Sequence, residues 1–156
     1  MRQLLISLLV FLNTIFAFGI SGKVVKVSDG DSFYLKSGNR TYRIRMYGID
    51  APELHQEYGI DSKQYLESII LNKNIDVKVM DEDKYGRKIG KVFYKSKDIN
   101  LQMLESGNAW LYEYYAKNER KYKKAFKNAR ENKIGLWKHE NLENPRQYRL
   151  KHKREE

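Results

Sequence analysis

The sequence predicts an α+β domain in which five strands form a small closed barrel and three helices pack on it. Three observations carry this. Residues 22–47 read as three β-rich runs separated by turn signals, a helical apolar spacing follows, and two further β-rich runs precede two more helical patterns. The length of 156 residues suits one domain, and 41% hydrophobic with 13% aromatic residues is enough for a core.

In order along the chain, Lys23 to Val27 is the first strand, and Ser28-Asp29-Gly30-Asp31 turns it into Ser32 to Lys36. Ser37-Gly38-Asn39 then leads into Arg40 to Tyr47. There Tyr42, Ile44 and Met46 alternate with Arg43 and Arg45, so one face is apolar and the other cationic. Gly48 to Glu53 breaks that strand, because Pro52 donates no ladder hydrogen bond and biases Ala51 away from helix. Asp61 to Leu71 follows as a helix, with Tyr65, Leu66, Ile69 and Ile70 at helical spacing. Ile75 to Met80 and Lys88 to Tyr94 are the last two strands. Ile99, Met103 and Leu104 mark a short helix ended by Gly107, and Tyr122, Ala125, Phe126 and Ala129 mark a longer one with a basic outer face.

The ends differ from this middle. Arg2 followed by an apolar run to Phe16, with Ala17 and Gly19 spaced for cleavage, reads as an export signal over residues 1–19, the alternative being an uncleaved anchor. On this reading the domain spans residues 20–140 of a secreted or periplasmic protein, and 141–156 is a basic, loosely ordered tail. The net charge of +10 is uneven: residues 1–116 carry +2 and residues 117–156 carry +8. Such a field attracts polyanions, whether nucleic acid, anionic lipid or acidic polysaccharide. The absence of cysteine excludes disulfides, thiolate metal sites and a cysteine nucleophile.

Chemistry-bearing residues cluster in three loops: Asp29-Gly30-Asp31, then Arg45 with Asp50 and Glu53, then Asp83-Lys84-Tyr85-Gly86-Arg87. Carboxylates beside arginines and a lysine suit a hard cation held by oxygen together with an anionic, oxygen-rich substrate. Singly each cluster has an ordinary explanation: Asp-Gly is common turn chemistry, and Arg45 either grips an anion or pairs with Asp50 or Glu53 across the barrel.

Taken in order, these segments resemble the staphylococcal nuclease-like thermonucleases. The resemblance rests on Val27 to Ser32, Tyr42 to Glu53, Asp83 to Arg87, Asn100 to Trp110, and Ala129-Arg130 with Gly135-Leu136-Trp137. It implies an OB-fold barrel with three helices and a calcium-dependent, sequence-nonspecific phosphodiesterase that cleaves DNA and RNA to 3′-phosphate products; a small cleft enzyme of this kind is expected to work as a monomer. It further implies Asp31, Asp50 and the Ala51 carbonyl as calcium ligands, Glu53 as general base, and Arg45 and Arg87 as the arginines on the phosphate. Lys84 and Tyr85 fall where the family contacts a nucleotide's phosphate and base, and Tyr115 at a base-stacking position. Ser32 and Ala51 depart from the family's threonines, the Leu54 to Ile60 segment is shorter than its counterpart, and Glu113 replaces a second stacking tyrosine. Two rival readings are a non-catalytic OB-fold nucleic-acid binder and a basic protein of a membrane or polysaccharide surface. A pure binder gains nothing from carboxylates facing a polyanion.

Overall fold

The computed structural model describes residues 19–152. The export segment read from the sequence therefore lies, but for Gly19, outside the described residues. The chain runs β1 (Gly19–Val27), β2 (Ser32–Ser37), β3 (Arg40–Met46), β4 (Ile49–Asp50), α1 (Gly59–Ile70), β5 (Asn74–Glu82), β6 (Lys88–Tyr94), β7 (Lys97–Asp98), α2 (Ile99–Glu105), β8 (Trp110–Leu111), α3 (Glu113–Ala116), α4 (Arg120–Glu131) and α5 (Pro145–His152). A single 3₁₀ turn, Gly135–Lys138, precedes α5.

The five long strands are antiparallel neighbours in the order β3-β2-β1-β5-β6. A parallel pairing of β3 with β6, with Arg45 opposite Ile89, closes them into a barrel. Register shifts at Val24/Lys26 in β1 and Val79/Asp81 in β5 supply the bends that a closed five-stranded sheet needs. This is the OB-fold topology that the sequence led us to expect.

Alternation along the strands fills the barrel. Val24, Val27, Phe33, Leu35, Ile44, Met46, Val77 and Val92 are buried together, and α1 adds Leu66 and Ile70 to the same core. Met103 and Leu104 of α2 and Tyr122 of α4 join it from the other side. The Tyr122 hydroxyl donates to the Asp98 carboxylate, which satisfies a polar tip that burial would otherwise strand. Asn100, fully buried, ties β6 to the residue that follows β3. Its Oδ1 accepts from the Val92 N–H at 2.9 Å, and its Nδ2 donates to the carbonyls of Tyr47 at 2.8 Å and Gly90 at 3.2 Å.

Three features differ from the sequence-based expectation. Three two-residue strands supplement the five of the barrel, and β4 pairs with β8 so that Asp50 stands opposite Trp110. The helices are five rather than three among the described residues, because α3 and α5 are also formed. The segment expected to be a loosely ordered tail instead holds α5, with Pro145 in its first turn and the Asn144 Oδ1 accepting from the Arg146 N–H.

Candidate active site

The loops after β1, β3 and β5 open at one end of the barrel around a cleft of about 490 Å³. All nine residues singled out from the sequence line it: Asp31, Arg45, Asp50, Ala51, Glu53, Lys84, Tyr85, Arg87 and Tyr115. Segments separated by tens of residues meet here because the strand order brings β3 beside both β2 and β6.

The first loop is fixed by its own side chains. Asp29 Oδ1 accepts from the Asp31 N–H at 3.0 Å, and Gly30 lies so close to Ser62 and Ala51 that a Cβ there would overlap both. Asp31 is thereby turned inward, 5% exposed, with Oδ2 accepting from the Ala51 N–H at 2.6 Å and Oδ1 from the Ser32 hydroxyl at 3.0 Å. Burial raises its carboxyl to about 6, against the lowering effect of the Arg45 charge, and the Asp29 charge adds to the rise. Asp50, 3% exposed, is shifted upward by burial too and then by the charge of Asp31, while hydrogen bonding from Arg149 and the charge of Arg45 oppose the shift.

Arg45 joins the two acids. Its Nε lies 3.3 Å from Asp31 Oδ1 and its Nη2 donates to Asp50 Oδ1 at 3.0 Å, while Nη1 donates to the carbonyls of Met46 at 2.9 Å and Ile49 at 2.8 Å. Of the two roles left open by the sequence, pairing within the barrel is therefore present, though with Asp31 and Asp50 and not with Glu53. Its neighbour in the alternation, Arg43, is exposed and lies over the Tyr34 ring instead.

The third loop is an Asp-anchored turn in which Asp83 Oδ1 accepts from the N–H groups of Tyr85 and Arg87 and Gly86 takes a positive φ of 73°. Asp83 Oδ2 accepts from Arg87 Nε at 2.7 Å, so the guanidinium is aimed, and among the described residues its two terminal nitrogens make no hydrogen bond. Burial alone would raise Asp83; the hydrogen bonds from Arg87 and the backbone outweigh it and hold the carboxyl below its usual value. Tyr85 is 64% exposed, beneath the Lys84 and Arg87 charges. On the opposite wall, Tyr112 and Tyr115 line the cleft, whereas Tyr114 is 78% exposed outside it and Glu113 is exposed at the start of α3. The Tyr115 hydroxyl donates to Asp81 Oδ2 at 3.1 Å, and burial followed by that acid pushes its pKa up to about 12.

One site residue was missed by sequence reasoning. Arg149, in α5, reaches into the cleft: Nη1 donates to Asp50 Oδ1 at 3.1 Å and to Glu53 Oε1 at 2.7 Å, and Nη2 donates to Asp50 Oδ2 at 2.9 Å. Burial works against its charge, but Asp50 and Glu53 outweigh that and raise its pKa. The sequence separation of 99 residues from Asp50 hid the contact. The signal that was available is Asn144-Pro145, a helix-start pair ahead of four basic or histidine residues.

Asp31 and Asp50, both buried, line the cleft with Glu53 and Ala51, and carboxylate and carbonyl oxygens are the donors a hard divalent cation takes. No histidine lines this cleft, and among the described residues no group of three or more His, Cys, Asp or Glu side chains is gathered as a cation cage. The Arg149 guanidinium already sits on Asp50 and Glu53 as an intramolecular cation, which shows that these oxygens accept positive charge.

Residues 43–139 match the family described as staphylococcal nuclease homologue. An uncharacterised endonuclease of Haemophilus influenzae is 38% identical over 132 residues, which are 84% of this chain and 74% of the relative. A micrococcal nuclease of Shigella flexneri is 32% identical over 82% of this chain and 79% of its own length. A probable staphylococcal-like nuclease of rice is 36% identical over 81% of this chain, the match taking 33% of that longer protein. In fold, in the make-up of its cleft and in kinship, the chain belongs to the staphylococcal nuclease family and is a nuclease of the hydrolase class.

Proposed function

We propose that the protein is a calcium-dependent, sequence-nonspecific phosphodiesterase that hydrolyses DNA and RNA to 3′-phosphate products, and that it acts as an exported monomer. The observation that carries the reading is the convergence of Asp31, Asp50, Arg45 and Arg87 on one open cleft. Asp31, Asp50 and the Ala51 carbonyl would hold the calcium ion, which when bound polarises a phosphoryl oxygen and lowers the barrier to attack by water.

The residues' own parts follow from their chemistry. Arg87, aimed by Asp83 and otherwise unspent, binds two phosphate oxygens and stabilises the charge that builds on them. Arg45, fixed by two carbonyls, keeps the two aspartates together and offers positive charge to the same phosphate. Glu53 accepts a proton from the attacking water as its oxygen bonds to phosphorus; the bond to the 5′ oxygen breaks, and that oxygen takes a proton from solvent. Lys84 meets a neighbouring phosphate, and Tyr85 and Tyr115 offer ring faces to bases of any identity, hence the weak sequence preference.

The cationic face of α4, with Arg120, Lys121, Lys123, Lys124 and Lys127 all exposed, supports non-specific attraction of the polyanion. Incubating the protein with single-stranded DNA and RNA at slightly alkaline pH, in calcium or in chelator, tests the reading. Fragments in calcium alone are expected. Cleavage that persists in chelator contradicts it, and binding without cleavage in calcium points to the non-catalytic binder.

A further inference from the structure

The nucleolytic reading requires Asp50 and Glu53 to be free for a cation and a water, yet both are engaged by Arg149. Every oxygen of Asp31 and Asp50 has an internal partner: Asp31 is met by Ala51, Ser32 and Arg45, and Asp50 by Arg45 and, on both of its oxygens, by Arg149. Arg45 is fixed by two backbone carbonyls and belongs to β3, so it stays when the site is used. Arg149 is different, because the element that carries it is weakly held.

The eight-residue α5 buries only Pro145, leaves Leu150 57% exposed, and is too short to persist as a helix on its own. Its root is tied by Gln56 Nε2 donating to the Glu143 carbonyl at 2.5 Å, and Lys151 pairs back to Glu143 within the same segment. The Arg149 pair with Asp50 and Glu53 is its charged link to the barrel. A guanidinium bound to both oxygens of Asp50 and a divalent cation on that same carboxylate compete for the same lone pairs and repel each other.

We propose that α5 is an inhibitory strap: Arg149 closes the carboxylate site in the metal-free protein, and calcium and the strap exclude one another, so that calcium binding releases α5 and frees Glu53. This inference rests on the calcium-dependent reading above. It makes the enzyme self-capped where calcium is scarce. It also fits the position of Tyr148 and His152, which with Arg149 wall a second groove beside Glu53 that would open with the strap.

The test compares calcium binding by calorimetry for the parent chain and Arg149→Gln, with hydrogen exchange of residues 145–152 in chelator and in saturating calcium chloride. Removing the competitor tightens calcium binding by about tenfold or more, the factor expected when the strap leaves a tenth of the molecules open. In the parent chain, calcium speeds exchange across α5; in Arg149→Gln, exchange is already fast in chelator. Equal or weaker calcium binding by Arg149→Gln, or α5 protection that is unchanged or increased in calcium, overturns the strap and leaves the calcium site standing. If neither protein binds calcium, both the strap and the calcium-dependent reading fall.

Discussion

Replacing Arg45 by Met removes a side chain that is 15% exposed and makes four polar contacts, two with carboxylates and two with backbone carbonyls. The variant must leave Asp31 and Asp50 facing each other with one cation, Arg149, in place of two. Breaking a buried ion pair from one side costs about 3–5 kcal/mol. The cost is capped at low pH, because Asp31 can shed its charge. In the parent chain Asp31 is already raised to about 6 from 3.8, so its contribution to stability is fully present below about 3.8 and is lost as pH rises through about 6. Losing Arg45, which lowers that pKa, pushes it further up and widens the penalty at higher pH. Urea unfolding in chelator should therefore show a loss of about 3 kcal/mol or more at pH 8 and a clearly smaller loss at pH 5. A loss under about 1 kcal/mol, as for a surface pair, or one that is equal at the two pH values, is incompatible with Arg45 holding two buried carboxylates together.

Other expectations are narrower. Arg87→Ala removes a partly buried pair with Asp83 and a contact over the Tyr85 ring, so stability should fall by about 1 kcal/mol while saturated turnover falls by about 10²–10³; digestion at the parent rate rules out its placement on the phosphate. Tyr85→Ala removes an exposed stacking surface worth about 1–3 kcal/mol, which should appear in KM for an oligonucleotide with kcat little changed; a fall confined to kcat contradicts a stacking role. Asn100→Ala strands the Val92 N–H and relaxes the tie to Tyr47 and Gly90, and should cost about 2 kcal/mol or more in unfolding experiments, against near-neutral effects if these groups find other partners.

The barrel was legible because its strands are β-rich, with a clear alternation in β3, and its turns carry Asp, Gly and Asn, so composition and punctuation agree. Polar residues crowding the loops marked three candidate clusters, and the ordered resemblance to the staphylococcal nuclease-like family is what singled out Asp31, Asp50 and Glu53 among them. The pairing of Arg45 with Asp50 was one of two readings the sequence left open, but its contact with Asp31 was not foreseen, since nothing local says that Arg45 turns toward Asp31 while Arg43, two residues away, stays outside on Tyr34. The C-terminal helix escaped for a different reason. Pro145–His152 has no apolar stripe at helical spacing, Leu150 faces solvent, and what orders the segment is a charge on Arg149 meeting acids nearly a hundred positions earlier. Likewise α1 begins at Gly59, two residues ahead of the expected start at Asp61, directly after Tyr58, which takes a left-handed conformation with φ of 69° and supplies no side-chain cap.

The charge asymmetry also takes a different form in three dimensions. Among the described residues, the exposed face of α4 carries Lys121, Lys123, Lys124 and Lys127, of which Lys127 pairs with Glu131, while in the terminal segment Arg149 and Lys151 are paired with acids and Arg146 is exposed. The salt dependence of binding should therefore follow the lysines of α4 more than Lys151.

Mass analysis of the ends left on a defined single-stranded oligonucleotide, digested in calcium or in chelator, decides whether this cleft hydrolyses phosphodiesters with calcium held by Asp31 and Asp50. The expected products are 3′-phosphate and 5′-hydroxyl ends in calcium, with intact substrate in chelator; 5′-phosphate ends, or the same fragments without calcium, are incompatible with that mechanism.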